Sequence, residues 1–211
     1  MKITKYVHSC LLVETAKQTV LIDPGEYSRE SRLLPLTAMN RLDSIVISHE
    51  HPDHFDLVFL EQISAKFPHA MIVTNEDLAK RIKATKLKNP ISTGSQPDIE
   101  VFEIAHAPIT FRRPVPRQIG VHIEDKLTFP GDTIALKTSR QVLALPFTAP
   151  WVSHKQSLEA LVKIKPEFVI PVHDWSWHQQ ARRQMYDQSK ELLKKRGIKV
   201  LELENAIPTE I

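Results

Sequence analysis

The 211-residue chain has only one cysteine, Cys10, so it can form no internal disulfide and no thiolate cluster to hold a metal. No segment approaches the roughly 20 consecutive apolar residues of a membrane span. The opening MKITKYVHSCLLVET alternates polar and apolar residues like a first strand, unlike the continuous apolar core of a secretory leader. A cytoplasmic protein without a membrane partner is therefore expected. Also missing are internal repeats, low-complexity tracts, a basic stripe and the aromatic-interleaved platform on which single strands stack. The net charge of +3 favours an anionic substrate but falls short of a nucleic-acid-binding signature.

What is present is ordinary globular material, with 42% hydrophobic and 25% charged residues, and its length fits one domain over residues 1–211. Three short β-rich runs come first, Ile3–Val7, Leu11–Glu14 and Thr19–Ile22, the last stopped by the turn signal Asp23-Pro24-Gly25. A strand at Ile45–Ile47 then enters the loop SHEHPDHFD, after which Leu57, Leu60, Ile63 and Phe67 recur at helical spacing. Next come a strand over Ala70–Thr74, a helix after Asn75, a strand over Ile99–Ala105, and a hairpin turning at Glu124–Lys126. A strand at Val142–Leu145 precedes a helix opened by a capping box, Ser153 with Gln156. The strand in EFVIPVHDW leads to a second helix with Ser176 and Gln179 as its box and Gly197 as its stop, and a strand over Ile198–Leu203 closes the pattern. Apolar strands alternating with amphipathic helices predict an α/β protein of sheets covered by helices.

Four of these strands run into loops that bear histidine or aspartate: His49, His51, Asp53 and His54 after the first, then His106, Asp132 and His173. Rigid sheet ends position ligand groups while loops keep them accessible. Imidazole and carboxylate without thiolate suit zinc first, then iron, manganese or nickel. The bland alternative is a polar loop in which Asp53 or Asp56 caps the next helix, but capping explains one acid and none of the histidines.

The HEHPDH at 49–54 matches the HxHxDH signature of the metallo-β-lactamase superfamily, and FPGDT around Asp132 and IPVH ending at His173 resemble its later ligand motifs, in order. Within that superfamily VHSCLLVE, LIDPG and KPEFVIPVH are similar to the ascorbate-6-phosphate-lactonase-like branch of metal-dependent hydrolases. The resemblance covers nearly the whole chain. It implies the four-layer αβ/βα sandwich of the metallo-β-lactamase fold, mixed α/β (α+β), and two divalent metal ions, with His49, His51 and His106 on one, Asp53, His54 and His173 on the other, and Asp132 bridging. The catalytic pair would be Asp53, which orients the water, and Asp132. The implied reaction is attack by a metal-activated hydroxide on an ester, lactone, β-lactam-like amide or phosphoester of a small anionic substrate. Relatives in this branch often assemble through loops beside the site, which leaves both a monomer and a homo-oligomer open.

Several residues could line a substrate cleft. His8 ends the first strand, and VHS resembles a position near the metals in this branch, although a structural histidine fits it as well. Trp151 and His154 flank the later motif loops, with packing or exposure as the simpler account. Arg112 and Arg113 follow the His106 loop, where guanidinium forks could clamp a phosphate or carboxylate, or merely face solvent. His69 and His122 receive no role, and Cys10 reads as a small buried apolar residue. Two other functions compete: a nuclease or phosphodiesterase using the same site on RNA or DNA, and a non-catalytic scaffold. All seven ligand positions are filled, which argues against the scaffold.

Overall fold

The computed structural model describes residues 1–109 and 114–211, so Arg112 and Arg113 lie outside the described residues. The chain forms two compact units, Met1–Ser95 with Leu203–Ile211, and Gln96–Glu202.

The first unit is a seven-stranded mixed sheet. Strands β1 (Lys2–Lys5), β2 (Leu11–Glu14) and β3 (Thr19–Ile22) form the expected antiparallel meander. Parallel to β3 run β4 (Ser44–Ile47), β5 (Met71–Thr74) and β6 (Ile91–Ser92). The segments joining them carry α1 (Glu26–Ser31), α2 (Leu57–Lys66) and α3 (Glu76–Lys83). Asp56 caps α2 by accepting from the Phe59 amide, and Asn75 caps α3. Cys10, Leu21, Ile45, Ile47, Leu60, Ile63 and Ile72 form the buried centre, where each large aliphatic side chain contributes about 1.5–3 kcal/mol through burial. Burial pushes the Cys10 thiol up to about 12, so it packs as an apolar group.

The second unit holds a six-stranded mixed sheet. The antiparallel strands β7 (Ile99–Glu103), β8 (Ile119–Ile123) and β9 (Leu127–Phe129) continue into parallel β10 (Val142–Pro146), β11 (Phe168–Val172) and β12 (Lys199–Val200). Helices α4 (His154–Ile164) and α5 (Gln179–Lys194) pack on it through Leu161, Tyr186 and Leu193 against Leu143, Leu145, Phe147 and Val169. The capping box of Ser153 and Gln156 forms.

The expected α/β architecture is present, and the differences are local. β7 ends at Glu103, leaving His106 on an extended loop. Helix α5 starts without its anticipated box: Trp177 turns back to the Asp174 carbonyl, and His178 supplies the cap. Only Lys199 and Val200 of the last anticipated strand join the sheet. Thr209–Glu210, β13, instead pairs with the edge of β1. No helix among the described residues is long and apolar enough to cross a membrane.

Candidate functional site

In the first unit, parallel pairing brings the ends of β3, β4 and β5 to one edge, because Ile22 lies opposite Val46 and Ile47 opposite Thr74. Asp23 follows β3 and Ser48-His49 follow β4. The buried Asp23 carboxylate accepts from the Ser48 amide (2.7 Å) and hydroxyl (2.7 Å), and lies 2.6 Å from His54 Nδ1. Burial pushes the Asp23 carboxyl up, while His54 and the Ser48 bonds oppose that shift by favouring the carboxylate. With Asp23 accepting at Nδ1, Nε2 of His54 is the atom presented as a ligand, the usual outer support of a metal-binding imidazole. Sequence reasoning took Asp23 only as a turn residue. Its signal was a carboxylate at the end of an apolar strand, two residues before a glycine that the loop requires.

That glycine is Gly25. A Cβ there would lie 2.0 Å from the Asp53 carbonyl oxygen and 2.6 Å from the His54 amide nitrogen. The following amide, of Glu26, donates to the Pro52 carbonyl at 2.8 Å. The start of α1 is thus seated directly on the HEHPDH loop.

His8, Asp53 and His54 bring one ligand-capable atom each to within 4.8 Å of one another. His8 Nε2 is 3.0 Å from Asp53 Oδ2, and His54 Nε2 is 3.6 Å from the same oxygen. Tyr27 of α1 meets the His8 ring edge-on at 5.2 Å. Beside them, His49 Nδ1 contacts the Ser48 hydroxyl (2.9 Å), and His49 Nε2 faces His51 Nδ1 (3.0 Å). Val7, His8 and Asp23 all hold positive φ, of 72°, 55° and 46°. Such strain costs about 1–3 kcal/mol per residue and gathers where surrounding structure fixes a functional geometry. At β-branched Val7 it is a true outlier.

The second unit repeats the design. Parallel β10 and β11 put Thr148 beside His173, whose Nδ1 meets the Thr148 carbonyl at 2.9 Å. His106 Nδ1 meets the Ala107 carbonyl at 2.5 Å. Both Nε2 atoms turn to one oxygen, Asp132 Oδ2, from 3.6 Å (His106) and 3.2 Å (His173). Asp132 is held in place by buried Gln118, which accepts from the Asp132 amide (2.8 Å) and donates to the Pro130 carbonyl (3.1 Å). Sequence reasoning missed Gln118, since one glutamine before a strand carries no local signal. The Trp151 ring lies 6.2 Å from His106 and 6.0 Å from His173. Next to His173, buried Asp174 accepts from the Tyr186 hydroxyl (2.5 Å) and pairs with Arg182 (3.3 Å), tying the loop to α5. His154, by contrast, packs against Phe147 and Trp177, with Nε2 3.1 Å from the Ser189 hydroxyl.

The donor set of imidazole and carboxylate, with the histidines held from behind, fits a divalent cation.

Comparison with known proteins gives the same direction. Residues 2–173 match the family model described as beta-lactamase superfamily domain. Protein Rv0786c of Mycobacterium tuberculosis is 27% identical over 183 residues, 82% of this chain and 84% of its own length. The metallo hydrolase Igni18 of Ignicoccus hospitalis superimposes with a TM-score of 0.70 at 18% identity, over 100% of this chain and 98% of its own. The metallo-beta-lactamase fold protein YhfI of Bacillus subtilis does so with a TM-score of 0.68 at 13% identity, over 99% and 98%. At those identities the two structural likenesses show the fold.

Proposed function

The chain belongs to the beta-lactamase superfamily, and on that premise we propose that it is a metal-dependent hydrolase whose two units, together one domain over residues 1–211, supply the ligands of a dinuclear centre. The observation that carries this reading is the shared posture of His54, His106 and His173. Each has Nδ1 engaged from behind, by Asp23, the Ala107 carbonyl and the Thr148 carbonyl, so that Nε2 is the presented atom.

In this reading His49, His51 and His106 would hold one cation, and Asp53, His54 and His173 the other. Asp132 would be shared between them, a role suited to a carboxylate already approached by two imidazoles. Bound there, divalent cations, with zinc the first choice, would supply Lewis acidity for activating a water and polarising the scissile carbonyl or phosphoryl group. The chain's own groups do the remaining work. Asp53 orients the attacking water through its carboxylate and then takes a proton in transit to the leaving group. His8, in contact with Asp53 Oδ2, fixes that carboxylate's rotamer and borders the substrate. Trp151 walls the side near His106 and His173 and excludes water. Arg112, Arg113 and His154 are further candidates for substrate contact from the sequence.

The proposed substrate is a small anionic ester, lactone, β-lactam-like amide or phosphoester, in keeping with the net charge of +3. Elemental mass spectrometry of the purified protein, paired with turnover of a lactone, a β-lactam and a bis-phosphodiester before and after chelation, tests the reading. About two equivalents of metal and chelator-sensitive turnover are expected, with Asp132→Ala losing most activity and at least about one equivalent. A chain that takes up no metal on reconstitution would overturn it. Preferred cleavage of RNA over every small substrate would replace the small-molecule assignment with the nuclease.

A further inference from the structure

Within the second unit, α4 and α5 do not close the apolar stripe between them. Leu161 and Leu193 are buried against the sheet, but Leu158 and Val162 on α4 are only partly covered, and Leu192 on α5 is 52% exposed. These side chains wall an open groove of about 840 Å³. Its volume lies in the range of small-ligand sites, roughly 300–1,000 Å³.

The rim has a definite sign. Lys155, Lys163 and Arg196 border the groove with one carboxylate, Glu159, which lies 3.6 Å from Lys155. Among the described residues, neither Lys163 nor Arg196 has a carboxylate partner. Their aliphatic stems extend the apolar walls while the charged heads stay in water. Lys163 and Glu159 also border a second, adjoining cleft of about 440 Å³, where Ile134 and Leu136 form the apolar wall. Lys163 thus stands beside Glu159 where the two clefts meet.

We propose that the α4–α5 groove binds a fatty-acid anion, its tail along Leu158, Val162 and Leu192 and its carboxylate at Lys163 and Arg196. Charge and shape together select this occupant. A second copy of the chain in a two-fold contact would bring together two rims that each carry three cations to one carboxylate. A neutral or cationic amphiphile would leave Lys163 and Arg196 without an anion. None of the residues proposed as metal ligands lines the groove, and the proposal does not depend on the proposed hydrolysis.

Calorimetric titration of the metal-loaded protein with dodecanoate below its micellar concentration tests the proposal. The same titration is run with dodecyltrimethylammonium, which carries an equal tail and the opposite charge, and with an acidic amphipathic peptide as competitor. Saturable one-to-one binding of dodecanoate is expected, weakened at least about tenfold in the double variant Lys163→Glu with Arg196→Glu and weakened again by Leu192→Ser. The charge-reversed variant should instead prefer the ammonium amphiphile, while hydrolysis and melting temperature stay as in the parent. Equal affinity for both amphiphiles, or binding unaffected by charge reversal, would overturn the proposal. So would competitive inhibition of hydrolysis by dodecanoate that persists in the double variant, which would place the anion at the metals. Tighter binding of the peptide than of dodecanoate would make the groove a protein-docking surface and overturn it too.

Discussion

Asp23 and His54, 31 residues apart, share a 2.6 Å contact in which neither residue reaches solvent. The carboxylate sets which imidazole nitrogen carries the proton and which faces outward as a ligand. Asp23→Ala removes that acceptor together with two bonds to Ser48. The expected loss is about 1–3 kcal/mol of stability and 10–100-fold in metal affinity, with Asp23→Asn between parent and Ala. Denaturant unfolding reads the first and competition with a chromogenic chelator the second. A destabilised protein with unchanged metal affinity would reduce Asp23 to a loop anchor.

Gly25 provides a sharper steric test. Its missing side chain leaves room for the Asp53 carbonyl, which a Cβ would meet at 2.0 Å, and because the backbone fixes the Cβ and the atoms it meets are backbone too, no rotamer change relieves the clash. Gly25→Ala should cost at least about 1–3 kcal/mol through overpacking and displace Asp53 and His54, lowering metal content. Gly94→Ala, where an added Cβ meets nothing within 4 Å, is the control and should unfold like the parent. Comparable melting temperatures for the two variants would contradict the close approach.

Much of this arrangement could be read from the sequence, and its limits follow from the physics. Strands such as Leu11–Glu14 and Thr19–Ile22, and the Ser153–Gln156 box, rest on local patterns that tertiary contacts reinforce, so they appear where expected. The HEHPDH loop announces itself because no structural need explains three histidines in six residues. Short elements did not announce themselves: α1 has six residues, while β6 and β13 have two each and exist only because a neighbouring strand offers partners. The anticipated box at Ser176 and Gln179 lost to the bonds of Asp174 with Tyr186 and Arg182, which fix the chain before the helix begins. Asp23 and Gln118 were missed for one reason: each acts through a partner at least 14 residues away, and window-based reading does not reach that far.

Gln118 is open to direct test. Its amide serves the Asp132 amide and the Pro130 carbonyl at once, and all of it is buried. Gln118→Leu keeps the bulk and deletes both bonds, leaving buried backbone groups unsatisfied at about 1–3 kcal/mol. Because Asp132 would lose its orientation, kcat should fall more than the change in KM. Gln118→Glu, which keeps the acceptor for the Asp132 amide, should recover part of the loss. A variant that is less stable but has unaltered kcat would show that Gln118 braces the turn without orienting the carboxylate.

Two histidines outside the proposed ligand set, His122 and His154, set an acid limit on stability. Burial, with Arg140 adding to it, holds the pKa of His122 below the ordinary histidine value, against the pull of Glu100 and Asp125. Its ring lies 4.7 Å from that of Phe102, with Nδ1 2.9 Å from the Thr128 hydroxyl. Burial lowers the pKa of His154 as well, opposed by the Phe147 backbone. Both are bases whose folded pKa lies below the unfolded one, so the unfolded chain takes up protons first as the medium acidifies. Stability is therefore intact above about pH 6.5, the unperturbed histidine value, and erodes as pH falls below it toward the folded pKa values. His122→Gln removes one of these protonation steps. Urea unfolding of parent and variant at about pH 7.5 and about pH 5.5, on either side of that value, should show the parent losing more stability on acidification than the variant. Equal losses would mean that His122 titrates alike in the folded and unfolded chains.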